Sequence, residues 1–200
     1  MASNEDPVRA RIVAAALRAI DEGGTASLRV VAVARDAGAS QGMIRYYFGD
    51  RQGLVDEALA KRFGDRFGEF LGVFGEAVRR CGTPAEFRVA ITRVLDAVFI
   101  PERTRLRLER NSDVGEAVAR PELAAKIGIK RDEALSELRD IVVDAQSRGL
   151  MKADLDAASV AAFHLAMVHG CSLFEVGGRS LDLDAFNAVY KQALFALIFD

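Results

Sequence analysis

The sequence has little of what several protein classes depend on. Its 200 residues include two cysteines, four prolines, two histidines and no tryptophan. Cys81 and Cys171 belong to no CxxC or other metal-ligand spacing, which disfavours a disulfide framework and a zinc site and favours reduced thiols. Because proline is scarce and alanine, leucine, valine, arginine and glutamate are abundant, the composition favours helices over a turn-rich β-sandwich.

The sequence also predicts no membrane span and no secretory signal. The most apolar stretch, 157–168, is interrupted by Ser159 and His164 and is shorter than the roughly 18 to 20 residues that a span requires. The first ten residues carry two acids and no hydrophobic segment. These absences predict a cytoplasmic protein without a membrane partner.

Charge is nearly balanced, with 27 basic and 29 acidic residues and a net charge of −2. Taken alone, this balance disfavours nucleic acid as a partner, because DNA-binding domains are usually basic. The charge is not evenly distributed, however: residues 29–51 hold four arginines and two aspartates, whereas residues 63–200 hold 18 basic and 21 acidic residues. A slightly basic segment in an acidic chain permits DNA contacts and predicts weak, salt-sensitive non-specific binding.

What the sequence does contain is clear helix punctuation. Asp6 followed by Pro7 is typical of a helix start, and the apolar stripe that follows stops at Gly23 and Gly24. Two short helices are predicted next, over 29–37 and after the N-cap Ser40. Neither can bury enough area alone, so both must pack on their neighbours, which predicts a helix-turn-helix in a small helical domain.

The remainder of the chain has the same helical pattern, without an internal repeat or a low-complexity linker. Further helices are predicted from Arg51 through Phe74, from the capping box 83–86 to Pro101, over 122–148, over 156–176 and over 184–199. Glycines 64, 68, 72 and 75 interleave with the apolar row of the first of these, which predicts a bent or close-packed helix. The fold class is therefore predicted to be all-α.

Residues 27–54 resemble the helix-turn-helix of the TetR family of bacterial transcriptional regulators. The matching residues are Val33, Ala34, Ala37, Gly38, Ser40, Gly42, Tyr47, Phe48 and Leu54. The resemblance covers about residues 7–60, with Ala39, Arg45 and Arg51 standing where valine, tyrosine and lysine are common. It implies a three-helix DNA-binding domain at 1–50 and a helical effector-binding and dimerisation domain at 51–200, connected by the helix from about residue 51. It also implies a non-enzymatic protein without a cofactor.

Eight residues form the predicted DNA-binding surface. Arg45, on the exposed face of the second short helix, can bind guanine in a bidentate manner. Met43 and Tyr46 expose large apolar groups beside it, which suits contact with thymine methyl groups and the backbone. Tyr47 is either a core residue or a phosphate contact, and the resemblance implies a phosphate contact for Arg51. The full set is Arg29, Ser40, Gln41, Met43, Arg45, Tyr46, Tyr47 and Arg51.

The C-terminal part carries no catalytic or metal signature. His164 and His169 are five residues apart rather than four, and no GxSxG motif occurs. The cluster 103–110 is either a solvated helix face or a contact for a ligand or an acidic partner, and several aromatic residues are either core or pocket lining. The candidate ligand-binding residues are Phe99, Arg103, Arg107, Phe163, Met167 and Phe174.

The resemblance implies a repressor that binds a palindromic DNA operator as a homodimer and is released by a small, largely apolar effector of unidentified structure. The helices near 122–148 and 156–176 would form the dimer interface, which explains why the second is apolar nearly all round. Two alternatives remain: a helical small-molecule-binding protein or enzyme that retains the head without binding an operator, and a purely structural interaction protein. Salt-dependent retardation of DNA distinguishes them.

Overall fold

The computed structural model describes residues 6–178 and 181–199, with only the backbone at residue 69, and every regular element in these ranges is helical. The α-helices are α1 Pro7–Ser27, α2 Val30–Asp36, α3 Gln41–Phe48, α4 Arg51–Arg79, α5 Pro84–Val98, α6 Thr104–Val118, α7 Pro121–Ser147, α8 Ala157–Gly170 and α9 Leu183–Ile198. Short 3₁₀ helices occupy Pro101–Arg103 and Cys171–Glu175. The prediction of an all-α fold is confirmed.

Most helix boundaries follow the punctuation in the sequence. The Asp6 carboxylate accepts a hydrogen bond from the Val8 N–H at 2.8 Å, and the backbone leaves helical geometry at Gly24, where φ is 74°. One helix and one boundary differ from the prediction. Helix α6 is not among the predicted helices, because its apolar stripe is weak. The predicted 156–176 helix changes from α to 3₁₀ geometry after Gly170.

The described chain forms two compact units. The first unit contains the chain up to Asp65 together with Glu116–Lys130, and the second contains Arg66–Gly115 and the residues from Arg131 onward. Helices α4, α6 and α7 therefore each contribute residues to both units. The assignment of DNA binding to 1–50 and of effector binding and dimerisation to 51–200 stays a prediction.

Ion pairs fix the start of α4 within the first unit. Asp56 is 2% exposed and pairs with Arg120, while the neighbouring Glu57 carboxylate lies 2.5 Å from both Arg9 and Lys126. Burial opposes the charged form of Glu57, but the hydrogen bonds from Lys126 and Arg9 outweigh it and lower the pKa of this carboxyl. The first unit thus joins α1, α4 and α7 by buried and half-buried charges.

The second unit has its own apolar core, to which α4, α5, α7, α8 and α9 contribute. Its buried residues are Val78, Cys81, Phe87, Ile91, Leu95, Val98, Phe99, Val142, Ala145, Leu150, Met151, Val160, Val168, Cys171, Tyr190, Leu194, Ile198 and Phe199. Both cysteines are free and buried, and burial raises the pKa of the Cys171 thiol to about 11. A thiol with a pKa this high is a packing residue rather than a nucleophile.

The segment around α8 corrects the prediction that no stretch of the sequence is apolar enough for a membrane span. By length and composition, the 19 residues Ala157–Glu175 pass that test with a mean hydropathy of 1.5, because the average tolerates isolated serine and histidine residues. Only 28% of this window is buried. Five exposed large apolar residues, on α8, on the segment that follows it and on α9, are grouped as the α8 apolar surface: Phe163, Leu173, Phe174, Val176 and Val189.

The glycine row of α4 has two kinds of members. A Cβ atom at Gly75 would lie 3.3 Å from the Ile141 side chain, so this position is closely packed. At Gly68 and Gly72 a Cβ atom would meet nothing within 4 Å. Close packing therefore explains Gly75 but not the two glycines in the middle of the row.

Candidate nucleic-acid interface and effector cavity

Two glycines set the geometry around α3. Gly38, between α2 and α3, adopts a φ of 61°, in the left-handed region that side chains other than glycine rarely enter. Gly53, in the first turn of α4, lies so close to the Phe48 carbonyl that a Cβ atom would collide with it. The two glycines thus place α3 in a tight turn between its neighbours.

Helix α3 buries one face and exposes the other. Ser40 accepts a hydrogen bond from the Met43 N–H at 3.1 Å, which caps the helix, and Ile44 is 1% exposed. Gln41, Arg45 and Tyr46 are exposed, with 83% of Tyr46 accessible to solvent, and Met43 is partly exposed as well. Arg45 has no ion-pair partner among the residues that the structure describes. Four of the predicted DNA-contacting side chains therefore share one solvent-facing surface, which we call the α3 face: Gln41, Met43, Arg45 and Tyr46.

Tyr47 is half-buried, and its hydroxyl donates a hydrogen bond to the Asp6 carboxylate. This bond is the main cause of two opposite shifts, a lowered pKa of Asp6 and a raised pKa of Tyr47. The Tyr47 hydroxyl is therefore already engaged in a hydrogen bond with the Asp6 carboxylate at the start of α1. A phosphate contact through this hydroxyl requires exchange of that bond, and the predicted role of Tyr47 stays a prediction.

Arg29 and Arg51 both bind backbone carbonyls in the last turn of α1 or directly after it. Arg29 Nη1 donates to the Ala26 oxygen at 2.8 Å. Arg51 is half-buried and donates from Nε to the Leu28 oxygen at 3.0 Å and from Nη2 to the Thr25 oxygen. The Arg51 bonds hold the end of α1 against α4, whereas the Arg29 bond is local. The phosphate-contacting roles predicted for both arginines stay predictions.

The second unit contains a cavity of about 990 Å³. Its wall is formed by α4, α5, α6 and α8 and is mainly apolar, with arginines added from α4, α5 and α6. Among the residues that the structure describes, no group of three or more histidine, cysteine, aspartate or glutamate side chains could hold a metal ion. The cavity is thus suited to a largely apolar organic molecule.

Of the six predicted ligand-binding residues, only Arg103 and Arg107 line this cavity. Phe99 is 2% exposed and packs in the core against Phe186 and Tyr190. Phe163 and Phe174 belong to the α8 apolar surface, and Met167 packs against the core. These three phenylalanines and the methionine therefore do not line the cavity with the two arginines, because their side chains lie in the core or on the α8 apolar surface.

Arg107 is the centre of a buried ion pair. Its Nε lies 2.8 Å from Glu175 Oε2, its Nη2 lies 2.5 Å from Glu175 Oε1, and the two side chains are 3% and 1% exposed. Arg107 also donates to the Val98 carbonyl oxygen at 2.5 Å. The Arg107 guanidinium is thus fully occupied within the chain, although it lines the cavity.

Three titratable residues of the second unit, His164, His169 and Arg110, are not among the ligand-binding residues predicted from the sequence. Burial lowers the pKa of His164 and of His169 to about 4, and Arg110 adds to the shift at His169. His164 pairs with the Tyr190 hydroxyl at 2.8 Å, and its ring stacks on Phe70. Both imidazoles are therefore neutral at physiological pH. The unusually dense arginine cluster 103–110 was the available sequence signal for Arg110.

The N-terminal region matches a known family. Residues 12–58 match the family described as "Bacterial regulatory proteins, tetR family". Among curated proteins, the chain is 39% identical over 51 residues to the HTH-type transcriptional regulator BetI of Burkholderia thailandensis. This match covers 26% of the chain and 26% of that relative, so it spans about a quarter of the relative's length.

Similarity to solved structures extends over nearly the whole chain. A TetR-family transcriptional regulator from Rhodococcus sp. is 27% identical with a TM-score of 0.67, over 95% of this chain and 97% of that one. The regulator FadR from Bacillus subtilis in complex with stearoyl-CoA has 20% identity and a TM-score of 0.56, with 92% and 96% covered. A regulator from Saccharomonospora viridis in complex with choline has 18% identity and a TM-score of 0.60, with 94% and 95% covered.

Proposed function

Because residues 12–58 match the TetR family of bacterial transcriptional regulators, we propose that this chain is a member of that family. In this proposal it represses transcription as a homodimer on a palindromic operator and is released by a small, largely apolar effector. We propose that it is a DNA-binding regulator with a helical ligand-binding domain and, like the family, not an enzyme. The observation that carries the proposal is the α3 face. There Arg45, which has no ion-pair partner in the part of the chain that the structure describes, lies beside exposed aromatic and apolar groups. We further propose that the protein acts in the cytoplasm, where bacterial DNA lies.

In this proposal the α3 face enters the major groove. Arg45 donates to the O6 and N7 atoms of one guanine, while Met43 and Tyr46 contact thymine methyl groups and the sugar-phosphate backbone. Gln41 lies at the helix start, close to the groove edge, and Ser40 brings the N-terminus of α3 to a phosphate. Specificity then depends on few base contacts, of which Arg45 makes the strongest.

Phosphate contacts would fix the position of this helix on the duplex. The candidates for these contacts are Arg29 directly before α2, Tyr47 near the end of α3 and Arg51 at the start of α4. Each keeps an internal hydrogen bond in the free protein, so DNA either shares or replaces that bond. Their contribution is expected to be independent of operator sequence and sensitive to salt.

The α8 apolar surface supports dimerisation. It exposes Phe163, Leu173, Phe174, Val176 and Val189, a set that a monomer would leave in water. A second copy of the chain would cover this surface through a two-fold axis and present two α3 faces to successive major grooves. The participation of α7 in the same interface stays a prediction.

The cavity in the second unit supports an effector. Structures with a similar fold hold stearoyl-CoA in one case and choline in another, so the fold by itself does not fix the effector's chemistry. Here the wall is mostly apolar, which favours a molecule with substantial hydrocarbon surface. Effector binding would favour a conformation with lower operator affinity, and the two affinities would be reciprocally coupled.

We expect the purified protein to retard DNA from upstream of its own gene, with affinity that falls steeply as salt rises. In a selection from random duplexes it should enrich a palindrome, and Arg45→Ala should relax the preference at one position of each half-site. The loss is expected to be about 1 to 3 kcal/mol of discrimination for each contact, because one bidentate guanine pair is removed.

Arg35→Ala provides the matched control. Arg35 is an exposed arginine on α2 that pairs with Asp36, so its removal changes the charge equally without altering the α3 face. An unchanged base preference in the Arg45→Ala variant would refute the role of Arg45. Failure of the native protein to retard any DNA would instead favour the alternative, a helical ligand-binding protein that retains the head without using it.

We expect light scattering at micromolar concentration to give the mass of a dimer, and Val189→Asp to shift the protein towards monomer. Val189 is 67% exposed, so aspartate is tolerated in the monomer but would be buried twice in a symmetric interface. The dissociation constant should rise by at least about tenfold.

Val118→Asp is the control for this substitution. Val118 is 87% exposed and lies outside the α8 apolar surface, so its replacement should leave the mass unchanged. A monomeric native protein would contradict the dimer, and co-sedimentation of that monomer with lipid vesicles would assign the α8 apolar surface to a membrane.

A further inference from the structure

Arg110 lines the cavity, and within the described part of the chain no carboxylate pairs with it. Its Nε atom is buried and makes no hydrogen bond to any residue that the structure describes. The guanidinium carbon lies over the Phe67 ring, 4.7 Å from its centre, which is a cation–π contact. This contact orients the guanidinium but does not neutralise its charge.

The surroundings of Arg110 are positively charged. Arg66 pairs with Glu109, and Arg107 pairs with Glu175, so these two carboxylates are engaged by other arginines. Arg103 is a further lining arginine. Burial together with these cations lowers the pKa of Arg110 to about 10, yet the group remains charged at neutral pH.

The other polar groups of the cavity do not compensate this charge. His164 is neutral, and Glu86, the one acidic residue in the wall among those whose side chains the structure describes, accepts a hydrogen bond from the Gly82 N–H at 2.6 Å at the start of α5. Phe67, Phe70 and Phe74 on α4 and Val168 on α8 form apolar parts of the wall, and Arg66, Arg80 and Arg93 add further cations to it. The cavity therefore combines a mainly apolar wall with an excess of arginines, of which Arg107 and Arg110 lie on α6.

Arg110 is half-buried as a residue, with its Nε inaccessible. A desolvated guanidinium without an anion is unfavourable, because desolvation is not offset by a charge-assisted hydrogen bond. A ligand that brings one anionic group would supply the missing partner, whereas a neutral ligand would leave it missing. A cationic ligand would be repelled by the same arginines.

We propose that the effector is an amphipathic anion whose carboxylate or phosphate group binds Arg110 and Arg103 and whose hydrocarbon part lies along the apolar wall of the cavity. The inference rests on the proposed function, since it specifies the chemical class of the effector that the cavity receives. Carboxylate and phosphate both match the fork of donors on a guanidinium.

The test compares four amphiphiles of equal chain length by isothermal titration of the native protein below their micelle concentrations. Dodecanoate or dodecyl phosphate is expected to bind at least about tenfold more tightly than dodecan-1-ol, because only the anions form charge-assisted hydrogen bonds. Dodecyltrimethylammonium is expected not to bind. The two anions distinguish a carboxylate from a phosphate head group.

Two substitutions locate the anionic group. Arg110→Gln should weaken the tighter anion by about tenfold or more while leaving dodecanol affinity unchanged, and Arg103→Gln should weaken it to a smaller extent. Arg103 is exposed, so the second variant tests the site even if the first fails to fold. Arg139→Gln is the control, because Arg139 is an exposed arginine of the same unit outside the cavity.

Equal binding of dodecanol and the anions, binding of the cation, or no binding of any of the four overturns the inference. So does an anion affinity that neither Arg110→Gln nor Arg103→Gln changes. DNA retardation tests the proposed function separately. If neutral amphiphiles release the DNA, the proposed function stands. If the protein binds anions through its arginines but never binds DNA, the proposed function is refuted.

Discussion

Replacing Arg107 by methionine is expected to lower the free energy of unfolding by about 3 to 5 kcal/mol, because it leaves the Glu175 carboxylate buried without its cation. Both side chains are almost completely inaccessible, at 3% and 1% exposure, and two short bonds join the guanidinium to the two carboxylate oxygens. Methionine has a similar length and preserves apolar packing, so the measured loss reports mainly on the unpaired charge.

Urea unfolding at a fixed protein concentration measures this loss, since dimerisation would make the apparent stability depend on concentration. The double variant Arg107→Met with Glu175→Leu removes both charges and should recover most of the lost stability. Arg105→Met, which removes an exposed arginine paired with Glu109 on the same helix, should cost no more than about 1 kcal/mol. A similarly small loss for Arg107→Met would show that the Glu175 carboxylate left behind is solvated.

Acidification from pH 6.5 to pH 4 is expected to destabilise the protein by on the order of 3 kcal/mol for each of the two histidines. Burial lowers the folded-state pKa of His164 and His169 to about 4 from an ordinary value of 6.5. Between these values the unfolded chain binds more protons than the folded one, so the free energy of unfolding falls as pH falls. The contribution is complete above pH 6.5 and stops decreasing below pH 4.

The double variant His164→Gln with His169→Gln isolates this effect, because glutamine does not titrate. Its free energy of unfolding should change much less than that of the native protein between pH 6.5 and 4.5. Glu57 and Glu109, whose pKa values are lowered by basic neighbours, lose their stabilising contributions below pH 4.5 and therefore outside this interval. Identical pH profiles for the two proteins would show that the histidines are accessible to protons.

Local signals were sufficient to predict most of the fold. Caps such as Asp6 and Thr83 and stops such as Gly24 act on adjacent residues, so helix boundaries can be inferred from a short window. Helix α6 has no comparable stripe, because its charged residues face the cavity and a buried partner as well as solvent. The α-to-3₁₀ change after Gly170 accompanies the burial of Glu175, which lies 68 residues from Arg107 in the sequence.

The two candidate sites differ in how far sequence could predict them. The α3 face lies on one short helix, so spacing alone identifies which of its side chains are exposed. The partners of Tyr47 and Arg51 are 41 and up to 26 residues away and could not be inferred from any local pattern. In the cavity, the composition of an apolar wall equals that of a core, which is why Phe99 and Met167 were candidates while Arg110 was not.

The glycine row of α4 has a consequence for the stiffness of a helix that both units share. Gly68 and Gly72 have room for a methyl group, yet each gives up about 1 kcal/mol of helix propensity relative to alanine. They follow Asp65, the last α4 residue of the first unit, and flank Phe70 in the cavity wall. Bending α4 in this segment therefore requires less free energy than bending it where alanine or leucine occupies the helix. Packing does not require these two glycines, and their effect is to make this part of α4 easier to bend.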